Sequence, residues 1–395
     1  MNNKCIGFIF LVVVTSFYLF YEIICSERFV CTSSTLVEDV RGNEFYSSIY
    51  RTGGNVSQSH RGNKPFSEKT LIRDFDFDIN GDDVLVFLHI QKTGGTTFGK
   101  HLVKNMDMEK PCQCFRGKKR CDCLRPGSSR SHWLFSRYST GWSCGLHADW
   151  TELTNCVPQW MDQKEKLVKK RRYYYITMLR HPVSRYLSEW RHVQRGATWK
   201  NSKHMCDGKQ PLSHELPLCF SGEDWKDVEL NEFMKCEYNL ANNRQTRMLA
   251  DLSVIGCYNM SFMTQEERNN NMLRSAKKNL RHMAYFGLTE YQKKSQFIFE
   301  KTFKLNFIDP FEQFNRTYAE QSPITDDQQQ QIELLNQLDL ELYAFAKKLF
   351  FQRYNKMKEL FGSKNNNWES SSTSSSYSSS EDEDDELSSD DLPVG

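Results

Sequence analysis

The segment Val84 to Thr97, VLVFLHIQKTGGTT, constrains this 395-residue chain more than any other. Val84, Leu85, Val86, Phe87 and Leu88 form an unbroken apolar run, the pattern of a strand covered on both faces. The residues from Thr96 onward, TTFGKHLVKNM, read as the helix that follows. Between the two, Gly94 and Gly95 let backbone approach an anion closely, and the first N–H groups of the helix would point at it. Lys92 adds a mobile charge. This is phosphate-binding architecture; the plainer alternative is an ordinary strand-to-helix turn with a solvated lysine. The Walker pattern G-x-x-x-x-G-K-[ST] is absent, because the lysine precedes the glycines. A nucleotide kinase or GTPase is thereby disfavoured, and no magnesium-binding carboxylate can be assigned either.

A second strand-to-helix unit spans Tyr173 to Gly196. YYYITML is β-branched and aromatic, and Pro182 stands where a first helical turn tolerates it. Val183, Leu187 and Trp190 fall at i, i+4 and i+7, the expected buried face. Arg180 ends this strand, at the edge where open α/β sheets bind ligands, and Ser188 offers a hydroxyl on the helix behind it. A ligand with two separated phosphates needs such a second anion site. Further on, Thr264…Glu267 has capping-box spacing at the head of a helix reaching Met283. Ala284 to Leu288 suits a short strand, Glu290 to Phe303 a helix, and Gln328 to Phe361 one long amphipathic helix with Leu334, Leu335, Leu338, Leu342, Phe345 and Leu349 on its apolar face. Alternating strands and helices predict an α/β fold with a central, mainly parallel sheet flanked by helices.

Charge is unevenly distributed. From Ser363 to Gly395 nine acidic residues face one basic, so with +2 for the whole chain the first 362 residues carry +10 and favour a polyanionic partner. The lysine-arginine run Lys164 to Arg172 reads as a solvated helix face that assists polyanion capture. Between Cys5 and Cys25 lie 21 residues with a single charge, Glu22, enough for a membrane-spanning helix. A cleaved signal peptide is the competing reading, but its apolar core would be shorter. Lys4 on the short side weakly places residues 1–4 in the cytosol and the bulk of the chain in the lumen. Residues 26–80, rich in Ser, Gly and Asn, read as a lumenal stem, 81–362 as the domain, and 363–395 as an acidic, disordered tail. Asn55, Asn259 and Asn315 head N-glycosylation sequons. Ten of thirteen cysteines lie between Cys112 and Cys257, an even number that suits disulfides in an oxidising lumen. The cluster Cys112-Gln-Cys114…Cys121-Asp-Cys123 admits a zinc site as the alternative, though at unusual spacing.

HIQKTGGTT, followed by TGWSCGLHADWTEL, YYITMLRHPVSRYLSEWRHVQRGATWK and YNLANNRQTRMLADLS, resembles the heparan sulfate 6-O-sulfotransferases, Golgi type II membrane enzymes. The likeness covers roughly Val84 to Phe361. It implies a P-loop-like sulfotransferase fold behind one transmembrane helix, with 3′-phosphoadenosine 5′-phosphosulfate (PAPS) as co-substrate. The implied reaction is sulfuryl transfer to the 6-hydroxyl of glucosamine in heparan sulfate, needing no metal, on an acidic polysaccharide and not a nucleic acid. By the same resemblance His89, Ile90, Gln91, Lys92, Thr93, Gly94, Gly95, Thr96 and Thr97 cradle the donor, and Arg180 and Ser188 take its 3′-phosphate. Glu312, Gln313, Phe314, Tyr318 and Ala319 form a further edge of the donor site. Lys119, Arg120, Arg137, Trp142, His147, His192 and Trp199 contact the saccharide. Lys92 would stabilise the leaving phosphate, and His147 matches the family's proton acceptor; His89 is the second histidine considered as base. Two departures stand out: His181 follows Arg180 where the family carries an acid, and Asp309 and Tyr318 occupy positions that are basic in the family.

Overall fold

Leu85 is paired on both sides, to Leu134 and to Tyr174, in the central sheet of the computed structural model. The structure describes residues 66–72, 75–313 and 323–361. The expected membrane segment, most of the expected stem, the acidic tail, Asn55, Phe314, Asn315, Tyr318 and Ala319 lie outside them. The sheet has four strands, β1 (Asp83–Leu88), β2 (Leu134–Phe135), β3 (Arg172–Leu179) and β4 (Tyr285–Leu288), in the order β2-β1-β3-β4. Every pairing is parallel. All six residues of β1 are buried, which requires cover on both faces of the sheet.

That cover comes from helices α1 (Gly95–Lys104), after β1, and α2 (Trp150–Glu165), before β3, while α3 (Pro182–Gln194) follows β3. Then follow α4 (Arg244–Leu249), α5 (Gln265–His282), α6 (Gln292–Phe303), α7 (Asp326–Leu335) and α8 (Gln337–Phe361). The main core joins the strands to Phe98, Phe299, Phe303, Phe307 and Phe311. A smaller cluster, around Tyr186, Leu187, Trp190, Phe233 and Ile332, binds α3 to α7. Pro182 stands in the first turn of α3, and Thr264 and Glu267 form the expected capping box of α5.

Three expectations change. The predicted single helix over 328–361 is two, broken at the fully buried Asn336. Its amide donates to the Ile332 carbonyl and accepts the Asn243 N–H, so the chain bends to tie α7 and α8 to the start of α4. Leu334 is left 64% exposed, off the apolar face assigned to it. In the basic run, α2 stops at Glu165 and only the first residues are helical. Lys169 pairs with Asp82, Arg171 with Asp162 and Glu165, and Arg172 with Asp83. Lys169 and Arg171 tie α2 to the N-terminal edge of the sheet and Arg172 ties β3 to β1, away from the C-terminal strand ends, while Lys164, Lys166 and Lys170 remain exposed. Packing also begins ahead of Gly81, since Phe75 and Phe77 set their rings edge-on against Tyr174. The ten cysteines pair as Cys112–Cys123, Cys114–Cys121, Cys144–Cys156, Cys206–Cys257 and Cys219–Cys236, so the C-x-C cluster is a nested disulfide staple and not a set of zinc thiolates.

Candidate functional site

From β1 the chain passes to β2 on one side of the sheet, then returns across β1 to β3 on the other. Connections that diverge in this way leave a crevice outside the C-terminal ends of the two neighbouring strands. The residues after β1 and after β3 fill its floor. Gly94 has φ +76 and caps α1, and Lys92 has φ +62. A Cβ on Gly95 would come within 2.2 Å of the His89 ring, so glycine is required there for His89 to lie across the start of α1. Arg180, following β3, directs Nη1 at the Lys92 carbonyl 3.5 Å away. Thr289, just beyond β4, places its hydroxyl 2.6 Å from the Thr93 carbonyl and 3.0 Å from that of Leu179. The loop after β1 is thus laced to both strands beside it. A helix N-terminus, a lysine and an arginine facing one crevice form a cradle for anionic oxygen.

Of the expected donor residues, Ile90, Gln91 and Thr93 have buried side chains, with the Thr93 hydroxyl on the Ile90 carbonyl. Thr96 is half-buried and Thr97 exposed at the first turn of α1, and Ser188 is half-buried along α3. Gln313 is drawn toward the same side by the Gln292 N–H, 2.9 Å from its Oε1, and Glu312 is exposed.

The expected acceptor residues gather beside this floor. His147 is buried with φ +49, and its Nδ1 lies 3.0 Å from the His89 carbonyl oxygen. Its ring is 4.5 Å from that of Trp142, 4.9 Å from His89 and 5.1 Å from Trp199, which in turn lies 5.4 Å from His192. Arg137 sets its guanidinium 5.4 Å from the Trp142 ring. Lys119 and Arg120 are exposed on the disulfide-stapled loop, and the Arg120 side chain packs beside Gly141, next to Trp142. A small cavity behind these groups is lined by Phe87, His89, Arg137, Trp142 and Leu153 among others.

Supporting groups escaped the sequence reading. Trp199 Nε1 donates to Glu189, which also receives Arg244 and Arg185. Burial alone would raise the Glu189 carboxyl, but those two guanidiniums outweigh it and hold it down at about 2. The turn that carries His147 is fixed by α2: Asp149 and Glu152 form a reciprocal capping box, and Glu152 also accepts the Met205 N–H. Burial, then the charge of Glu152, raises the Asp149 carboxyl well above the usual carboxylate range. The spacing Asp149…Glu152 was a readable helix start. The Glu189–Arg244 pair, 55 positions apart, left no local mark.

This fold and this two-sided crevice define a class: residues 75–346 match the sulfotransferase family. A chicken protein named heparan-sulfate 6-O-sulfotransferase 2 is 62% identical over 296 residues, covering 74% of this chain and 73% of that one. Mouse heparan-sulfate 6-O-sulfotransferase 3 is 63% identical over 75% of this chain and 63% of its own length, and Chinese hamster heparan-sulfate 6-O-sulfotransferase 1 is 61% identical over 75% and 74%. The chain belongs to the heparan-sulfate 6-O-sulfotransferases.

Proposed function

We propose that this protein transfers a sulfuryl group from PAPS to the 6-hydroxyl of glucosamine in heparan sulfate by in-line displacement. The acceptor oxygen bonds to sulfur as the bond from sulfur to the phosphate oxygen breaks. Lys92 and the Gly94 to Thr97 amides meet the charge released on that phosphate, Arg180 and Ser188 hold the 3′-phosphate, and His147 takes the hydroxyl proton. Arg137, Trp142, His192 and Trp199 line the saccharide side, with Lys119 and Arg120 meeting its sulfates and carboxylates.

The observation that carries the reading is the setting of His147. A carbonyl oxygen only accepts, so the contact with His89 places the imidazole proton on Nδ1 and leaves Nε2 of the neutral ring as acceptor. That ring sits between two tryptophans at the junction of the anion cradle and the aromatic wall. His147→Ala should lower kcat by about 10²–10⁴-fold, the usual worth of a positioned base, while 3′,5′-ADP binds as before. If the variant keeps most of its kcat, or loses nucleotide affinity in parallel, His147 is structural and His89 is the base to test.

We further propose a type II Golgi location with the domain in the lumen, anchored through Cys5–Cys25. Five disulfides support an oxidising compartment, and Asn259, exposed in a turn where its Oδ1 accepts the Ser261 N–H, is open to glycosylation.

A further inference from the structure

The stretch YNLANNRQTRMLADLS contains α4, which the proposed chemistry leaves without a role. Two adjacent side chains of this short helix reach opposite halves of the crevice. Gln245, 1% exposed, accepts the Arg180 N–H on Oε1 at 3.0 Å and donates from Nε2 to the Arg180 carbonyl at 2.9 Å. Both backbone groups of the residue that follows β3 are therefore held by one amide, as a neighbouring strand would hold them. Arg244, 2% exposed, donates Nε to Glu189 at 2.8 Å and adds a second bond from Nη2. Glu189 Oε1 in turn accepts the Trp199 indole N–H at 3.1 Å, and that indole stands edge-on to His147.

The helix that carries both residues is itself fixed. Asp339 of α8 accepts the N–H of Gln245 at 3.1 Å and those of the Thr246 backbone and hydroxyl at 2.7 and 2.8 Å. It thus fills the end of α4 where backbone donors lack helical partners. Replacing Gln245 by an apolar residue would leave two buried backbone groups of Arg180 unmatched, a larger penalty than the loss of an exposed contact.

We infer that Arg244 and Gln245 are positioning residues for the two halves of the site. Gln245 sets the backbone of Arg180 and with it the donor's 3′-phosphate position; Arg244, through Glu189, sets Trp199 and with it the saccharide wall. The inference rests on the proposed function, which assigns the donor to Arg180 and the saccharide to Trp199. Because each side chain serves one half, their effects separate.

The test uses Gln245→Met, Gln245→Glu and Arg244→Lys in the full-length protein, with calorimetric titration of 3′,5′-ADP and of a heparin oligosaccharide, and a thermal midpoint for each. Gln245→Met should weaken 3′,5′-ADP by about tenfold and leave the oligosaccharide within about twofold, as expected for loss of a pair of buried hydrogen bonds. Gln245→Glu, which can accept the Arg180 N–H but sets an acceptor-only oxygen against the Arg180 carbonyl and a negative charge beside the phosphate position, should weaken 3′,5′-ADP at least as much. Arg244→Lys replaces a two-point fork by a single ammonium and should weaken the oligosaccharide while sparing 3′,5′-ADP. Variants that move both affinities together, or shift the thermal midpoint and neither affinity, overturn the positioning roles. A wild-type protein that binds neither probe overturns the underlying reading, and the inference with it.

Discussion

Lys92 and His147 both hold φ in the left-handed region, at +62 and +49, where a side chain other than glycine's costs free energy unless its surroundings over-determine it. For His147 those surroundings are the His89 carbonyl, the Cys144–Cys156 disulfide and the Ser202 hydroxyl on the Leu146 carbonyl. Lys92→Ala retains a Cβ at this backbone, so it removes the charge without altering the strain. It should lower kcat by about 10²–10³-fold, the range found for removing one group that meets developing charge. The thermal midpoint should barely move, because Lys92 is half-exposed. Near-native kcat would transfer the role to the loop amides and Arg180. Lys92, Gly94 and Gly95 were legible because their geometry is local, a strand, a turn and a helix in consecutive residues. Gln245 and Glu189 were not, because their partners stand 65 and 55 positions away and only the fold brings them together.

At the scale of elements, strand β3 and helices α3 and α5 follow from periodicity and capping residues, since those signals depend on neighbours within four positions. The break at Asn336 does not: an asparagine inside an apolar period gives no sign of a partner on α4. On α3 the expected buried residues Leu187 and Trp190 are joined by the charged Arg185 and Glu189, at 0% and 1% exposure. Glu189 makes a pH prediction. Its folded value of about 2 lies below the roughly 4.3 of an unfolded glutamate, so it stabilises the fold fully above that unfolded value. The contribution fades as pH falls from the unfolded value through the folded one. Thermal midpoints recorded down the acid range should therefore fall more steeply for the native protein than for Glu189→Gln, which has no proton to take up there. Parallel acid limbs would show that Glu189 carries no such charge in the folded state.

Over the whole molecule, the crevice exists because the chain turns back across β1, a topology that alternating strands suggest without fixing strand order. The disulfides show the same division: an even cysteine count foretold them, while pairing required the fold to bring Cys206 to Cys257 across 51 positions. The basic balance of the first 362 residues suits an acidic polysaccharide. Lys169, Arg171 and Arg172 pair with Asp82, Asp83, Asp162 and Glu165, and because these charges already cancel in the net count, the basic surplus lies on other residues. What the crevice does offer is an anion cradle and an aromatic wall meeting at one histidine. The most direct test is disaccharide analysis of desulfated heparan sulfate after incubation with the protein and radiolabelled PAPS. Label is expected on the 6-hydroxyl of glucosamine, and is expected to be lost with His147→Ala; label on a uronate 2-hydroxyl or a glucosamine 3-hydroxyl, or none with the native protein, would refute 6-O-transfer.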